Sequence, residues 1–235
     1  MPQDRPTVLL TGFGPFPSVA ANATSILVPR LAEAARRALP GIRFAMYILP
    51  TEWETSLDLL GDLNRIYRPS IALHFGVSSR ASGFEIETRG RNLCAQSADA
   101  AGCLPRQSRL SPRGPEYLPA TLPSAHIVVR LRQKGLPAQI SRDAGGYLCN
   151  ALLYRSLELA RASGMPTRTG FVHLPSSLVS ERLPGCEPAR TARLGWDDVI
   201  EGGLEIIAGA LGRPPSSLAS FRRGSATRVA RPSIS

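Results

Sequence analysis

The chain has 235 residues, 43% hydrophobic and 20% charged, with a formal net charge of +10. That length supports one substantial core, and the composition is that of a globular domain rather than a disordered or fibrous chain. No run approaches the roughly 20 apolar residues of a membrane-spanning helix. The opening Met1-Pro-Gln-Asp-Arg5 carries no signal-peptide pattern, so a cytoplasmic protein with no membrane partner is expected.

In chain order, Thr7-Val-Leu-Leu-Thr-Gly12 reads as a buried strand ending in glycine. A helix follows from about Thr24 to Leu39, capped by Asn22-Ala-Thr-Ser25 and closed by Pro40-Gly41. Arg43 to Leu49 is strand-like, Glu52 to Tyr67 helical, and Ile71 to Gly76 a third apolar strand. After a short strand near Phe84–Thr88, the Pro-, Ser-, Gly- and Arg-rich stretch Leu93–Pro119 reads as an irregular excursion. A helix over Ser124–Lys134, a strand at Ala138–Ile140, a helix from Gly146 to Ala162, a strand at Thr169–His173 and a helix over Trp196–Leu211 complete the pattern. Strands alternating with helices predict a single-domain, three-layer α/β/α fold on a mostly parallel twisted sheet, spanning residues 1–212.

Residues 213–235 are rich in Ser, Pro and Arg and poor in apolar side chains, which reads as a disordered basic tail. Arg213, Arg222, Arg223, Arg228 and Arg231 lie there, while Lys134 is the only lysine in the chain. A basic tail can hold phosphates non-specifically. With no aromatic interleaving or groove-reading motif, a nucleic-acid partner is not expected. Cys94, Cys103, Cys149 and Cys186 form no C-x-x-C and, with three histidines, no zinc spacing, so neither a metal nor a disulfide framework is expected.

Functional groups of α/β sheets gather where strands end and helices begin. In Ser141-Arg-Asp-Ala-Gly-Gly-Tyr-Leu-Cys149-Asn150 the small residues permit a tight turn, and Cys149 falls in the first turn of the next helix. Free N–H groups and the helix dipole there favour a thiolate. Local sequence alone suits a small buried core cysteine somewhat better. His173, in Gly170-Phe-Val-His173-Leu-Pro175, ends a strand from which an imidazole can reach a neighbouring helix start. His74 competes for that role, and His126, on a helix face, is the weaker candidate. Glu85 and Glu87 share one face of their strand, so periodicity does not choose which could orient a histidine. Gly12-Phe-Gly-Pro-Phe16 lacks dinucleotide spacing, but its aromatics could stack on a flat apolar ligand. Gly76-Val-Ser-Ser-Arg80 is not a nucleophile elbow, because Arg80 stands where the final glycine belongs.

Taken together these segments resemble pyroglutamyl-peptidase I, peptidase family C15, in order from Thr7 to about Leu211. Thr11-Gly-Phe-Gly-Pro-Phe16, Asn22-Ala-Thr-Ser25, Leu49-Pro50, His74-Phe-Gly-Val-Ser78 and Gly135-Leu-Pro-Ala-Gln-Ile-Ser141 are each similar to a family segment. Asp143-Ala-Gly-Gly-Tyr-Leu-Cys149 resembles its nucleophile motif and Phe171-Val-His173-Leu-Pro175 its histidine motif. The resemblance implies a cysteine peptidase that needs no cofactor and acts on peptides with an N-terminal pyroglutamate. It makes Cys149 the nucleophile, His173 the base and Glu87 the triad acid, with Phe13 and Phe16 packing the pyrrolidone ring and backbone at Val77 bonding its lactam. It also brings homo-oligomers into view. Pro17-Ser-Val-Ala20, Ser78-Ser-Arg80 and the Cys94–Pro119 excursion depart from the family on the substrate side. The alternatives are therefore a same-fold hydrolase of altered acyl specificity or a catalytically silent binding module.

Overall fold

In the computed structural model, which describes residues 5–16, 22–178 and 194–214, the apolar runs become the strands of a central sheet. In chain order the elements are β1 (Thr7–Phe13), α1 (Ala23–Ala38), β2 (Arg43–Leu49), α2 (Trp53–Tyr67), β3 (Ile71–Ser78), β4 (Phe84–Glu87), β5 (Arg89–Arg91), β6 (Tyr117–Pro119), α3 (Ser124–Gln133), β7 (Ala138–Ser141), α4 (Leu148–Ala162), β8 (Arg168–Pro175) and α5 (Trp196–Ala210). The six-stranded sheet runs β2-β1-β3-β8-β4-β7. Its central strands β1, β3 and β8 are buried almost throughout because helices cover both faces. Val8, Leu10, Leu73, Phe75 and Val172 face a core shared with α1, α3 and α5. Leu9 and Phe171, of opposite parity, face α2 and α4. The expected three-layer α/β architecture is present. The basic segment expected at 213–235 lies, apart from Arg213 and Pro214, outside the described residues.

The topology locates a crevice. From β1 the chain crosses α1 to β2 on one side, then returns by α2 to β3 on the other side of β1. The sheet order thus reverses between β1 and β3, where ligands settle beyond the carboxyl ends of the strands. The β1–β3 pairing stops at Thr11 and His74, whereas β3 stays paired with β8 as far as Ser78 and Pro175. β1 and β3 therefore part just where Phe13, Gly76 and Val77 lie.

Two features add to the sequence reading of a mostly parallel sheet. β4 runs antiparallel to β8 although it is parallel to β7, so one side of the sheet is reversed. The excursion after Leu93 is closed at its base by β5 and β6, which pair antiparallel. Polar side chains fix its path. Asn92 Nδ2 donates to the carbonyls of Ser111 and Gly114 at 2.8 and 3.2 Å, and its Oδ1 accepts from Ser111 N at 2.9 Å. Asp99 accepts from the backbone N–H groups of Trp53, Ala101 and Cys103, so it satisfies the start of α2, where Glu52 makes no side-chain cap.

His74 is fully buried, its Nδ1 2.7 Å from Thr11 Oγ1 and its Nε2 2.8 Å from Ser156 Oγ. It ties β1 and β3 to α4, and burial pushes its pKa down to about 3. A depressed histidine leaves stability intact above the unfolded value of 6.5 and removes it as pH falls toward 3. Between pH 6.5 and 5 this group should cost about 2 kcal/mol, at about 1.4 kcal/mol per unit. Urea unfolding of the wild type and of His74→Gln across that range should show this slope in the wild type only.

Candidate active site

The parity of β3, β8 and β4 assembles the site on the α4 side of the sheet. Phe75, Val172, Phe84 and Ile86 point into the opposite core, which turns His74, Phe171, His173, Glu85 and Glu87 toward α4. Gly76 stands in register with His173 on the neighbouring strand. Glu85 and Glu87 lie opposite His173 and Phe171 on the other flank of β8.

At Gly76 the absence of a side chain is a steric requirement. A Cβ there would lie 2.9 Å from Cys149 Sγ and 2.7 Å from Phe171 Cζ. The sulfur thus occupies the space a β3 side chain would fill, beside His173. Cys149 is the second residue of α4, half-buried, and α4 receives no side-chain cap from Tyr147. Its first-turn N–H groups, including those of Leu148 and Cys149, are the orphan donors of a helix start. Gly145, at φ 81°, makes the turn that brings the chain from β7 to this point.

His173 Nδ1 lies 2.8 Å from Glu87 Oε1, and both residues are buried. Glu85, left equivalent by periodicity, instead accepts from Gln139 Nε2 at the surface. Burial alone would drive His173 toward neutrality. The charge of Cys149 and its hydrogen bond, followed by the hydrogen bond and charge of Glu87, outweigh that and raise its pKa to about 10. Cys149, His173 and Glu87 thus form one chain of interacting groups that can move a proton between sulfur and imidazole and hold the imidazolium.

The other candidates separate from this cluster. His74 lies under α4, held by two hydroxyls and kept neutral, and His126 is exposed on α3 across the sheet. Burial pushes the Cys94 thiol up to about 11, away from thiolate chemistry. Cys103 is exposed, and Cys186 lies outside the described residues. Phe13 is buried at the end of β1 and Phe16 is half-buried, its ring 6.3 Å from that of Tyr147. Tyr147 meets Trp53 edge-on at 5.0 Å. Val77 is half-buried, its side chain toward the α1 core, so only its backbone faces the crevice. Donor atoms of Glu85, Glu87 and His173 lie within 4.8 Å of one another. A cation there would have to break the His173–Glu87 hydrogen bond.

The sequence reading missed two residues. Gly76 sat inside a quoted segment without a role, and its need for no side chain appears only once α4 is laid on β3. Asn150 follows the cysteine and bonds β5 through both ends of its amide, accepting from Arg91 N at 2.7 Å and donating to the carbonyls of Arg91 and Leu93.

A cysteine at an uncapped helix start, beside a histidine held by a buried carboxylate above a parallel sheet, defines the class of α/β cysteine hydrolases. Comparison with known proteins narrows it. The family model of the pyroglutamyl peptidases, peptidase C15, matches residues 6–184. A pyrrolidone-carboxylate peptidase of Gloeobacter violaceus is 36% identical over 170 residues, covering 72% of this chain and 80% of that protein. One from Pyrococcus furiosus is 32% identical over 174 residues, covering 72% and 80%. A variant of the Pyrococcus furiosus pyrrolidone carboxyl peptidase has a related solved structure, with a TM-score of 0.77 at 28% identity over 88% of this chain and 98% of that one. The pyroglutamyl peptidase I of Bacillus amyloliquefaciens gives 0.75 at 28% identity with the same coverage. The chain belongs to the pyroglutamyl peptidase family, peptidase C15, and is a cysteine peptidase.

Two outcomes follow from the geometry. Gly76→Ala should press on Cys149 Sγ, slow alkylation of this thiol by iodoacetamide and cost about 1–3 kcal/mol in urea unfolding. In an NMR titration of His173, Cys149→Ala should lower the pKa from about 10 further than Glu87→Gln does, because the cysteine contributes the larger raising effects.

Proposed function

We propose that this enzyme removes an N-terminal pyroglutamyl residue from peptides, with Cys149 as nucleophile, His173 as general base and acid, and Glu87 as the group that orients the histidine. The observation that carries this reading is the Cys149 sulfur seated over Gly76 next to an imidazole fixed by a buried carboxylate. The Cys149 thiolate attacks the carbonyl carbon that joins pyroglutamate to the next residue. Negative charge builds on the carbonyl oxygen, where the free N–H groups of the first turn of α4 can receive it. As the C–N bond breaks, protonated His173 gives its proton to the leaving amine, and a thioester remains on Cys149. His173, now neutral, takes a proton from water. The resulting hydroxide equivalent attacks the thioester and releases pyroglutamate with the cysteine restored. No oxidant, metal or cofactor enters the balance.

The substrate side follows the crevice between β1 and β3. Phe13 and Phe16 supply aromatic surface for the flat pyrrolidone ring. The lactam would bond backbone at Val77, where β3 has left its pairing with β1. Phe16 leads directly into the divergent segment Pro17–Ala20, which lies outside the described residues. Residues 1–212 are assigned to catalysis and the basic segment 213–235 to no catalytic role. We place the enzyme in the cytoplasm, a reading supported by the free thiols Cys94, Cys103 and Cys149 and by the need to keep a catalytic thiol reduced. Among the described residues no helix is long and apolar enough to cross a membrane.

The test is release of aminocoumarin from pyroglutamyl-aminocoumarin under reducing conditions, with the wild type beside Cys149→Ala. Turnover should appear in the wild type only, and the variant should keep the wild-type circular dichroism. Equal turnover in Cys149→Ala would remove the cysteine from its role. A folded but inactive wild type would shift the assignment to another acyl group.

A further inference from the structure

A second polar cavity opens on the other flank of the α4 start. It has a volume of about 220 Å³ and is lined by Arg89, Arg91, Arg142, Asp143, Tyr117 and Asn150, together with Ala144. Three arginines and one aspartate line it, and that aspartate sits 3.9 Å from Arg80, just past the end of β3. Among the described residues none of the three arginines has an acidic partner. Several arginines without an acidic partner lining one cavity are the chemistry of a carboxylate site.

The cavity is also preorganised. Arg89 donates from Nε to the Arg142 carbonyl at 2.8 Å, and its guanidinium carbon lies 4.3 Å over the Tyr117 ring. Those contacts fix the plane of the group and leave its two terminal nitrogens as a fork, the geometry that binds a carboxylate through two parallel hydrogen bonds. Arg91 is anchored through its backbone, because its N–H and carbonyl both bond the Asn150 amide. Asn150 is the neighbour of Cys149, so the cavity is held at a fixed offset from the sulfur. The Arg80–Asp143 pair brings the turn before α4 across to the end of β3. Arg142, Asp143 and Ala144 follow β7, the edge strand separated from β3 by β8 and β4, so the cavity lies on the side of Cys149 away from the β1–β3 crevice, where a chain continuing past the scissile bond from that crevice would be met.

On the function proposed above, we infer that this cavity is a subsite for a carboxylate in the leaving part of the peptide, read chiefly by Arg89 and Arg91. The carboxylate is an acidic side chain in the first residues after the pyroglutamate or the C-terminus of a short peptide. Both present the same chemistry and differ only in source.

The experiment compares kcat/KM within each protein variant for two matched peptide pairs. The first pair consists of amidated pyroglutamyl tetrapeptides carrying Glu or Lys at the second or third position. The second is a neutral pyroglutamyl tripeptide with a free or an amidated C-terminus. The wild type should prefer the carboxylate member of at least one pair by roughly fivefold or more. In Arg89→Gln/Arg91→Gln that ratio should fall to about one, while Arg5→Gln/Arg161→Gln, which removes equal charge at exposed positions elsewhere, should keep it. Because each ratio is taken within one variant, a general loss of activity or stability cancels. Preference in the first pair assigns the site to side chains, and preference in the second alone assigns it to the chain terminus. No preference in the wild type, an unchanged ratio in Arg89→Gln/Arg91→Gln, or an equal loss in Arg5→Gln/Arg161→Gln would overturn the subsite. Failure of the parent function reads separately, as a wild type that releases no aminocoumarin from pyroglutamyl-aminocoumarin, and the subsite would fall with it.

Discussion

The contact between Cys149 and the bare backbone of Gly76 is the constraint on which the site depends. A helix lying on a sheet normally keeps its side chains apart from the strands by the depth of the intervening side-chain layer. At Gly76 that layer is missing, and the cysteine sulfur drops into it. Since Gly76 is in register with His173, the sulfur arrives beside the imidazole on the adjacent strand. The next strand over, β4, then delivers Glu87 to the far side of the same ring. Three groups from three elements are brought together by strand parity and one absent side chain.

The same face of the sheet holds two buried histidines in opposite charge states. His74 and His173 are each nearly sealed from water, and burial disfavours the charged imidazole in both. His74 meets only the hydroxyls of Thr11 and Ser156, which satisfy its nitrogens without supplying charge, and it stays neutral. His173 meets a sulfur and a carboxylate, and their charge reverses the balance. Glu87 bears part of the cost, since its second oxygen is buried with no hydrogen-bond partner among the described residues. A carboxylate left half-satisfied in the interior is destabilising by itself. It is tolerated here because the remaining oxygen holds an imidazolium.

How much of this was legible in the sequence depends on the range of the interaction involved. The strands of the sheet and the helix start at Cys149 follow from local apolar period and from Gly145-Gly146, so they could be read directly. Choosing Glu87 over Glu85 could not follow from period, because alternation puts both on one face; the register even sets Glu85 opposite His173, and it is the side chain of Glu87, one pair further along, that reaches Nδ1. That choice came from resemblance to a family. The reversal of β4 was invisible for the same reason, as strand direction is a tertiary property. The excursion looked irregular because Asn92, Asp99 and Asn150 order it through side-chain bonds to backbone, and such bonds leave no periodic trace.

Those polar clamps also couple the shape of the substrate side to the position of the nucleophile. The excursion contributes few large buried side chains, Cys94 and Leu118 among them, so hydrophobic packing alone would hold it weakly. Its attachment runs instead through α4, where Asn150 grips β5 and Tyr154 Oη donates to the Pro115 carbonyl at 2.9 Å. Close approach reinforces the grip, for a Cβ on Gly90 would lie 2.8 Å from the Tyr154 backbone. The segment also leans on the turn before the cysteine, with Ala95 N donating to the Gly146 carbonyl at 2.7 Å and Tyr147 Oη donating to the Ala98 carbonyl. The helix that positions Cys149 is thus the same body that positions Arg89, Arg91 and the wall around Tyr147. A change in the excursion is transmitted to the sulfur through a few short hydrogen bonds. The seat of Cys149 on Gly76 therefore constrains how the substrate side can be reshaped, because the excursion and the nucleophile share one helix.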